Sequence, residues 1–373
     1  MKFALPLGSV FLWFFAVSAI ELMSVVHIVT GLGFSVVYAL IYVIFQLIVE
    51  LGANQLVPGL VRRIGLIGVL WLSVPLRLSA FALLELADHQ ISILLVSAAF
   101  AAFGSGLSDA TRSALIARAV GNANLGKRLA FFEVATFCGA SSGALISAIF
   151  YQSLGFAALV GFVGLMLCVS VVLLSLFDRS EQAVACSTDA GKEAARTGHV
   201  PIPVWLRMAW WMTGWRYVLE GVLYPLYALA TYGSVVKVGI LAAVGPVSGY
   251  VAGFLFDKGF SPKLGFAFSL IVFACVGLLR VGDPVFSVAV LLACLSAVVG
   301  KALGMFEKAA SYSLSGNGKN IAVVVSRERN SVSARIPLII GCVWVSESIG
   351  SALLLAYFLT ALVGLVVLTR RKA

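Results

Sequence analysis

The stretch AWWMTGWRYVLEGVLYPLYAL, Ala209 to Leu229, is apolar enough to lie in a bilayer, yet it places Arg216 and Glu220 near its middle. An ionisable side chain at the centre of a membrane costs about 3 kcal/mol even on the gentler insertion scales, so it tends to face a cavity or a partner. Arg216 and Glu220 are four residues apart, share one helix face and can pair, although this order opposes the helix dipole. Glu21 is a second acid in an apolar run, Arg77 sits in a third, and Asp109 and Arg112 stand three residues apart in a fourth. A carboxyl group in a low-dielectric cavity can be held neutral and then ionised, so it can carry one proton at a time. That chemistry falls to Glu21 and Glu220, with Arg216 as counter-charge or anion contact. A purely structural Arg216–Glu220 pair is the alternative. For Arg77, Asp109 and Arg112 a self-neutralised packing element is favoured over a gate that opens, because a neutralised pair needs no ligand.

The elements that must position these groups follow from hydropathy. Hydrophobic residues make up 61% of the chain, charged residues 11%, and the mean hydropathy is +1.06. A chain with so few polar groups is largely solvated by lipid. Apolar runs long enough to cross a ~30 Å hydrocarbon layer recur, giving about twelve spans. They are Leu7–Ile28, Val36–Gln55, Ile64–Leu86, Ile91–Ile116, Leu129–Ile149 and Phe156–Phe177, then Val204–Tyr227, Val235–Phe256, Leu264–Leu279, Pro284–Met305, Val325–Val345 and Ser351–Leu368. The first is too long for a cleavable leader and is expected to be retained.

The net charge of +10 is distributed unevenly. With the N-terminus inside, Arg62, Arg63, Arg118, Lys127, Arg128, Arg179, Lys192, Arg196, Lys258, Lys263, Lys308, Lys319 and Arg370 to Lys372 fall on one side. The opposite turns hold little beyond Lys237 and Arg280. By the positive-inside rule both termini are cytoplasmic, in a plasma membrane of bacterial inner-membrane type, and the charge does not indicate nucleic acid. From Asp178 to Pro203 the chain is polar and rich in small residues, as a linker would be. The expected organisation is therefore residues 1–177 as one six-span bundle, 178–203 as a cytoplasmic linker and 204–373 as a second bundle. GFSVVY (Gly33–Tyr38) after the first span and YGSVVK (Tyr232–Lys237) after the seventh share SVV, and the same offset sets Glu21 opposite Glu220. Parallel repeats of this kind are a transporter plan.

The turn after the eighth span reads GFLFDKG, with Gly253, Asp257, Lys258 and Gly259. It resembles the Gly-x-x-x-Asp-Lys/Arg-x-Gly loop of the major facilitator superfamily. The corresponding stretch of the first half, Glu50 to Gly65, keeps an acid ahead of the loop and the basic pair Arg62 and Arg63, but has Pro58 and Gly59 where the loop aspartate would lie. GASSG, Gly139 to Gly143, is similar to the glycine-rich stretch of superfamily antiporters without its proline, and FGSGLSDATRSALIARAV resembles the fourth span of members in which small residues lead into a basic loop. The resemblance implies an all-α protein of two six-helix bundles, with the first and seventh spans lining a central cavity. It implies alternating access, a small organic molecule or anion as substrate, and coupling to protons through Glu21 or Glu220. Asp257 and Lys258 would then act in changing conformation, between Gly253 and Gly259. Trp211, Trp215 and Tyr224 are the aromatic residues expected to line an organic-substrate cavity. The other expected partner is the bilayer.

SRERNSVSAR, in the segment Met305 to Pro337, is read as a surface-lying basic helix, with Arg335 turning into the cavity as the alternative. No Gly-x-x-x-x-Gly-Lys-Ser/Thr occurs. His27, His89 and His199 are far apart, and the cysteines lack metal-ligand spacing. No cofactor, metal or enzymatic activity is expected. The reading from another class is a membrane scaffold or assembly factor that kept the fold, with a protein as its partner.

Overall fold

The structure is a computed structural model that describes residues 4–120, 125–185, 202–244, 262–282, 285–314, 321–345 and 349–369. The described chain is helical. In order it forms α1 (Ala4–Thr30), α2 (Val36–Glu85), α3 (Ile91–Val120), α4 (Leu125–Ala185), α5 (Val204–Val218) and α6 (Tyr224–Tyr232). After them come α7 (Val235–Val244), α8 (Pro262–Arg280), α9 (Phe286–Leu314), α10 (Ile321–Val345) and α11 (Ile349–Thr369). A backbone in hydrocarbon has only itself to hydrogen-bond, which is why apolar runs of this length become helices.

Two helices are far too long for one crossing, and each is broken by a glycine that hydropathy does not mark. Gly65 interrupts α2 at φ 74° and ψ 170°, and Gly155 interrupts α4 at φ 82° and ψ 177°. A side chain strains the backbone at such a φ, whereas glycine adopts it freely. The second and third expected spans are thus the two arms of α2, and the fifth and sixth are the arms of α4. With α5 and α6 taken as one rod, the helices match the twelve expected spans in order. The helix α4 continues through Ala185, beyond Phe177, so its last residues run into the segment expected as a linker.

In the first half α1 packs on α4 and α2 on α3; in the second, α8 packs on α9 and α11, and α5 on α10. Contacts of α10 with α2 and α3 join the halves. Many large apolar side chains are exposed, such as Leu165, Leu291 and Phe358, as lipid-facing positions require, while a set of polar and charged side chains including Glu50, Arg77 and Glu307 is buried.

Small residues set the closest approaches. A Cβ at Gly139 or Gly143 would overlap the carbonyl oxygens of Phe11 and Phe15, so the glycines of GASSG seat α4 on α1. A Cβ at Gly214 would likewise meet the Ser331 carbonyl, whereas Gly341 has open space beside it. Gly214→Ala is therefore expected to push α5 from α10 and cost about 1–3 kcal/mol. Thermal unfolding of the purified protein, with Gly341→Ala as the neutral control, checks this.

Candidate functional site

Two cavities of about 360 and 380 Å³ share a wall made by Glu21, Tyr217, Arg327, Glu328 and Arg335. That wall draws on both halves of the chain: Glu21 from α1, Tyr217 from α5 and the other three from α10. The Tyr217 hydroxyl donates to Glu21 Oε2 at 2.5 Å, and the Arg335 guanidinium lies over the Tyr217 ring at 4.1 Å. A phenol between an acid and a cation thus bridges the first and seventh spans and reaches the eleventh. A second bridge runs from Ser113 Oγ on α3 to Glu328 Oε1 at 3.3 Å.

The first cavity is lined further by Glu50, Arg77, Asp109 and Arg112. Arg77, 2% exposed, donates to Ser108 Oγ at 3.0 Å and stands 3.5 Å from Asp109 Oδ1, while Arg112 approaches the same oxygen at 3.8 Å. Both guanidinium groups also lie over the Trp13 ring, at 5.5 and 5.6 Å. Cation–π contact of this kind helps hold two like charges beside one carboxylate.

In the wall of the second cavity, Arg280 donates to both oxygens of Glu220, at 2.7 and 2.8 Å. Ser296 Oγ and the Tyr357 hydroxyl donate to Glu220 Oε1 at 3.0 and 3.2 Å, and Arg280 stacks on the Tyr224 ring at 3.5 Å. The helix is widened here. The Tyr224 N–H bonds the Leu219 carbonyl, five residues back, in a π-helical turn over Leu219–Leu223. Such turns often occur at functional sites and change the facing of the residues they carry. Near the end of the same cavity Arg327 grips Glu307 with two hydrogen bonds, at 2.6 and 3.2 Å, and donates to Glu328 at 3.1 Å. Ser311 links Glu307 to the indole N–H of Trp210.

The chain matches the family model of the Major Facilitator Superfamily over residues 59–326, which is more than half of its length. It belongs to the major facilitator superfamily. No curated protein matches it in sequence. Among solved structures it is similar to a bacterial homologue of the iron transporter ferroportin in an outward-facing state with soaked iron, with 16% identity, a TM-score of 0.67 and 99% of each chain covered. It is also similar to the E. coli fucose:proton symporter, with 14% identity, a TM-score of 0.60, and 100% of this chain and 98% of that one covered. A third is a POT family transporter in complex with 5-aminolevulinic acid, with 14% identity, a TM-score of 0.68, and 98% and 95% covered. Identities this low carry the fold: an integral membrane protein of two helical bundles.

Within this superfamily member the predicted site residues are redistributed. Glu21 and Glu220 both line cavities, but Glu220 is not paired with Arg216. Its partner is Arg280, which reads from the sequence as an exposed turn charge and is 1% exposed at the end of α8. Arg216 instead donates to the Gly300 carbonyl on α9. Glu220 itself lies in the π-helical turn, and its carboxylate is taken by Arg280 on α8. Arg77, Asp109 and Arg112 do come together, on the wall of the first cavity. Tyr224 lines the second cavity, whereas Trp211, 41% exposed, and Trp215 line neither; Tyr217, Trp210 and Tyr42 are among the aromatic groups that do. The surface-helix reading of SRERNSVSAR is corrected: α10 presents Arg327, Glu328 and Arg335 to the cavities and leaves Arg329 exposed. Gly253, Asp257, Lys258 and Gly259 lie outside the described residues. Sequence reasoning missed Glu50 and Glu307. Glu50 sits ahead of a loop motif, so it reads as part of that loop, but it is a cavity residue inside α2.

Proposed function

We propose that the protein is a secondary active transporter that moves a small polar organic solute by alternating access and couples this movement to protons through Glu21. Membership in a superfamily of membrane transporters supports the general activity. The observation that carries the finer reading is the Glu21–Tyr217–Arg335 array, in the one wall shared by both cavities. Alternating access requires the halves to part around a central site, and this array joins α1 of the first half to α5 and α10 of the second. Protonating Glu21 removes the charge that the Tyr217 hydroxyl serves and weakens the bridge, since a hydrogen bond to a charged acceptor is roughly twice as strong as a neutral one. Glu220, held by four hydrogen bonds from Arg280, Ser296 and Tyr357, has its charge matched in place and serves as structure.

In the proposed orientation both termini and the linker at 178–203 are cytoplasmic, and the bundles comprise residues 1–177 and 204–373. The Gly253–Gly259 turn then faces the cytoplasm, where Asp257 and Lys258 are proposed to act in the conformational change. The test is flux in proteoliposomes with an imposed pH gradient across the membrane. Solute accumulation that follows the gradient and collapses with a protonophore is the expected outcome. Accumulation indifferent to the gradient would remove the proton from the mechanism, and no movement of any solute by folded protein would turn attention to a scaffold that binds another protein.

A further inference from the structure

Most charged groups on the wall of the first cavity have a polar partner. Arg77 and Arg112 share Asp109, Arg327 is held by Glu307 and Glu328, and Glu21 accepts from Tyr217. Two groups are left over. Glu50, 4% exposed and lining the cavity, makes no hydrogen bond or ion pair among the described residues. Arg335 on the same wall has no ion pair among the described residues. It rests on the Tyr217 ring, donates to Ser331 Oγ at a long 3.4 Å, and its buried Nε has no partner. Arg335 and Glu50 nevertheless line the same cavity. An acid and a base therefore address the same cavity without touching. Buried charged groups left uncompensated are costly, and a bound ligand that supplies both missing partners relieves that cost.

We propose that the site takes a dipolar organic solute, one that carries a cationic and an anionic group, with the cation at Glu50 and the anion at Arg335. This rests on the transporter reading above and narrows its substrate. A solute with an anion alone leaves Glu50 unmatched, and one with a cation alone leaves Arg335 unmatched. The cavity of about 360 Å³ is of small-molecule size. The polar groups around the leftover pair suit the same ligand: the Tyr42 and Ser105 hydroxyls and the Gln46 amide line the cavity and can bond its uncharged parts. Arg335 lines the cavity over the Tyr217 ring, and a guanidinium fork matches a carboxylate.

The test is a thermal-shift and counterflow panel on the full-length protein. It contains α-amino acids, dipeptides, betaines and straight-chain amino acids from glycine to 6-aminohexanoate. Alongside stand the N-acetyl forms of the members with a free amine, which keep only the anion, the methyl esters of all of them, which keep only the cation, and neutral sugars. At least one dipolar compound is expected to stabilise the protein saturably and exchange across the membrane, with both blocked forms weaker by about tenfold or more, the scale of a lost charge-assisted hydrogen bond. Glu50→Gln should abolish the preference for the free amine over its N-acetyl form, and Arg335→Gln the preference for the free acid over its ester. Each variant is compared with its own blocked ligand, so a general loss of stability does not imitate the result. Glu50→Asp, which retains the charge, should keep the preference. Blocked forms that bind as well as the parent, or singly charged or neutral solutes that exchange while no dipolar one does, would overturn the dipolar site and leave the transporter standing. Silence from every class would overturn both.

Discussion

Glu220→Gln is expected to lower the melting temperature of the purified protein by several degrees, a loss of about 3–5 kcal/mol, the range seen when one partner of a buried ion pair is removed. Glutamine fills the same volume and can still accept from Ser296 and Tyr357, but it leaves Arg280 as a cation that is 1% exposed. Arg280 Nη1, which donates to both carboxylate oxygens, would face one neutral oxygen and an amide. Removing both charges, as Glu220→Gln with Arg280→Met, should recover most of the loss, because the burden lies in the unmatched cation and not in the missing contact. The remainder measures the stacking of Arg280 on Tyr224. Tryptophan-fluorescence melts of the three proteins in one detergent decide the matter. A single variant that melts with the wild type would mean that water or lipid headgroups compensate Arg280. A double variant no better than the single one would place the cost in packing.

That pair also marks the limit of what the sequence makes legible. The helices could be read from hydropathy because lipid imposes a single rule on every crossing, whereas the seat that the GASSG glycines give α1 emerges only from the packing. What could not be read was facing. Glu220 and Arg216 share a face on a regular α-helix, but Glu220 falls in the widened turn at Leu219–Leu223 and pairs with Arg280, and no residue type announces such a turn. Arg280 looks like a loop charge because it ends an apolar run, and only the packing of α8 against α9 and α11 buries it. Glu50 is the same failure in reverse: Pro58, Gly59 and the basic pair suggested a loop, while the helix continues past them to Gly65. The long-range partners of the charges depend on which helices are neighbours, and a single sequence with a weak internal repeat does not encode that in local spacing.

Glu21→Gln is the substitution expected to affect function most while leaving the fold intact. Glutamine keeps an oxygen that can accept from the Tyr217 hydroxyl, so the contact between α1 and α5 survives and the melting temperature should stay near that of the wild type. It cannot carry a proton. In proteoliposomes, accumulation driven by a pH gradient should fall to the level of protein-free vesicles, while exchange of labelled for unlabelled solute at equal pH on both sides continues, because exchange needs the halves to move but needs no net proton. Tyr217→Phe separates the two roles of the bridge. It keeps the ring under Arg335 and removes only the hydroxyl that donates to Glu21, so exchange should persist with an altered pH profile of uptake; Tyr217→Ala, which also removes the ring, should lose exchange as well. A Glu21→Gln protein that still accumulates solute against the gradient would pass the coupling role to another acid of the same cavity. Glu50 would then be first, since it alone among the cavity's buried acids has neither an ion pair nor a hydrogen bond among the described residues to fix its charge.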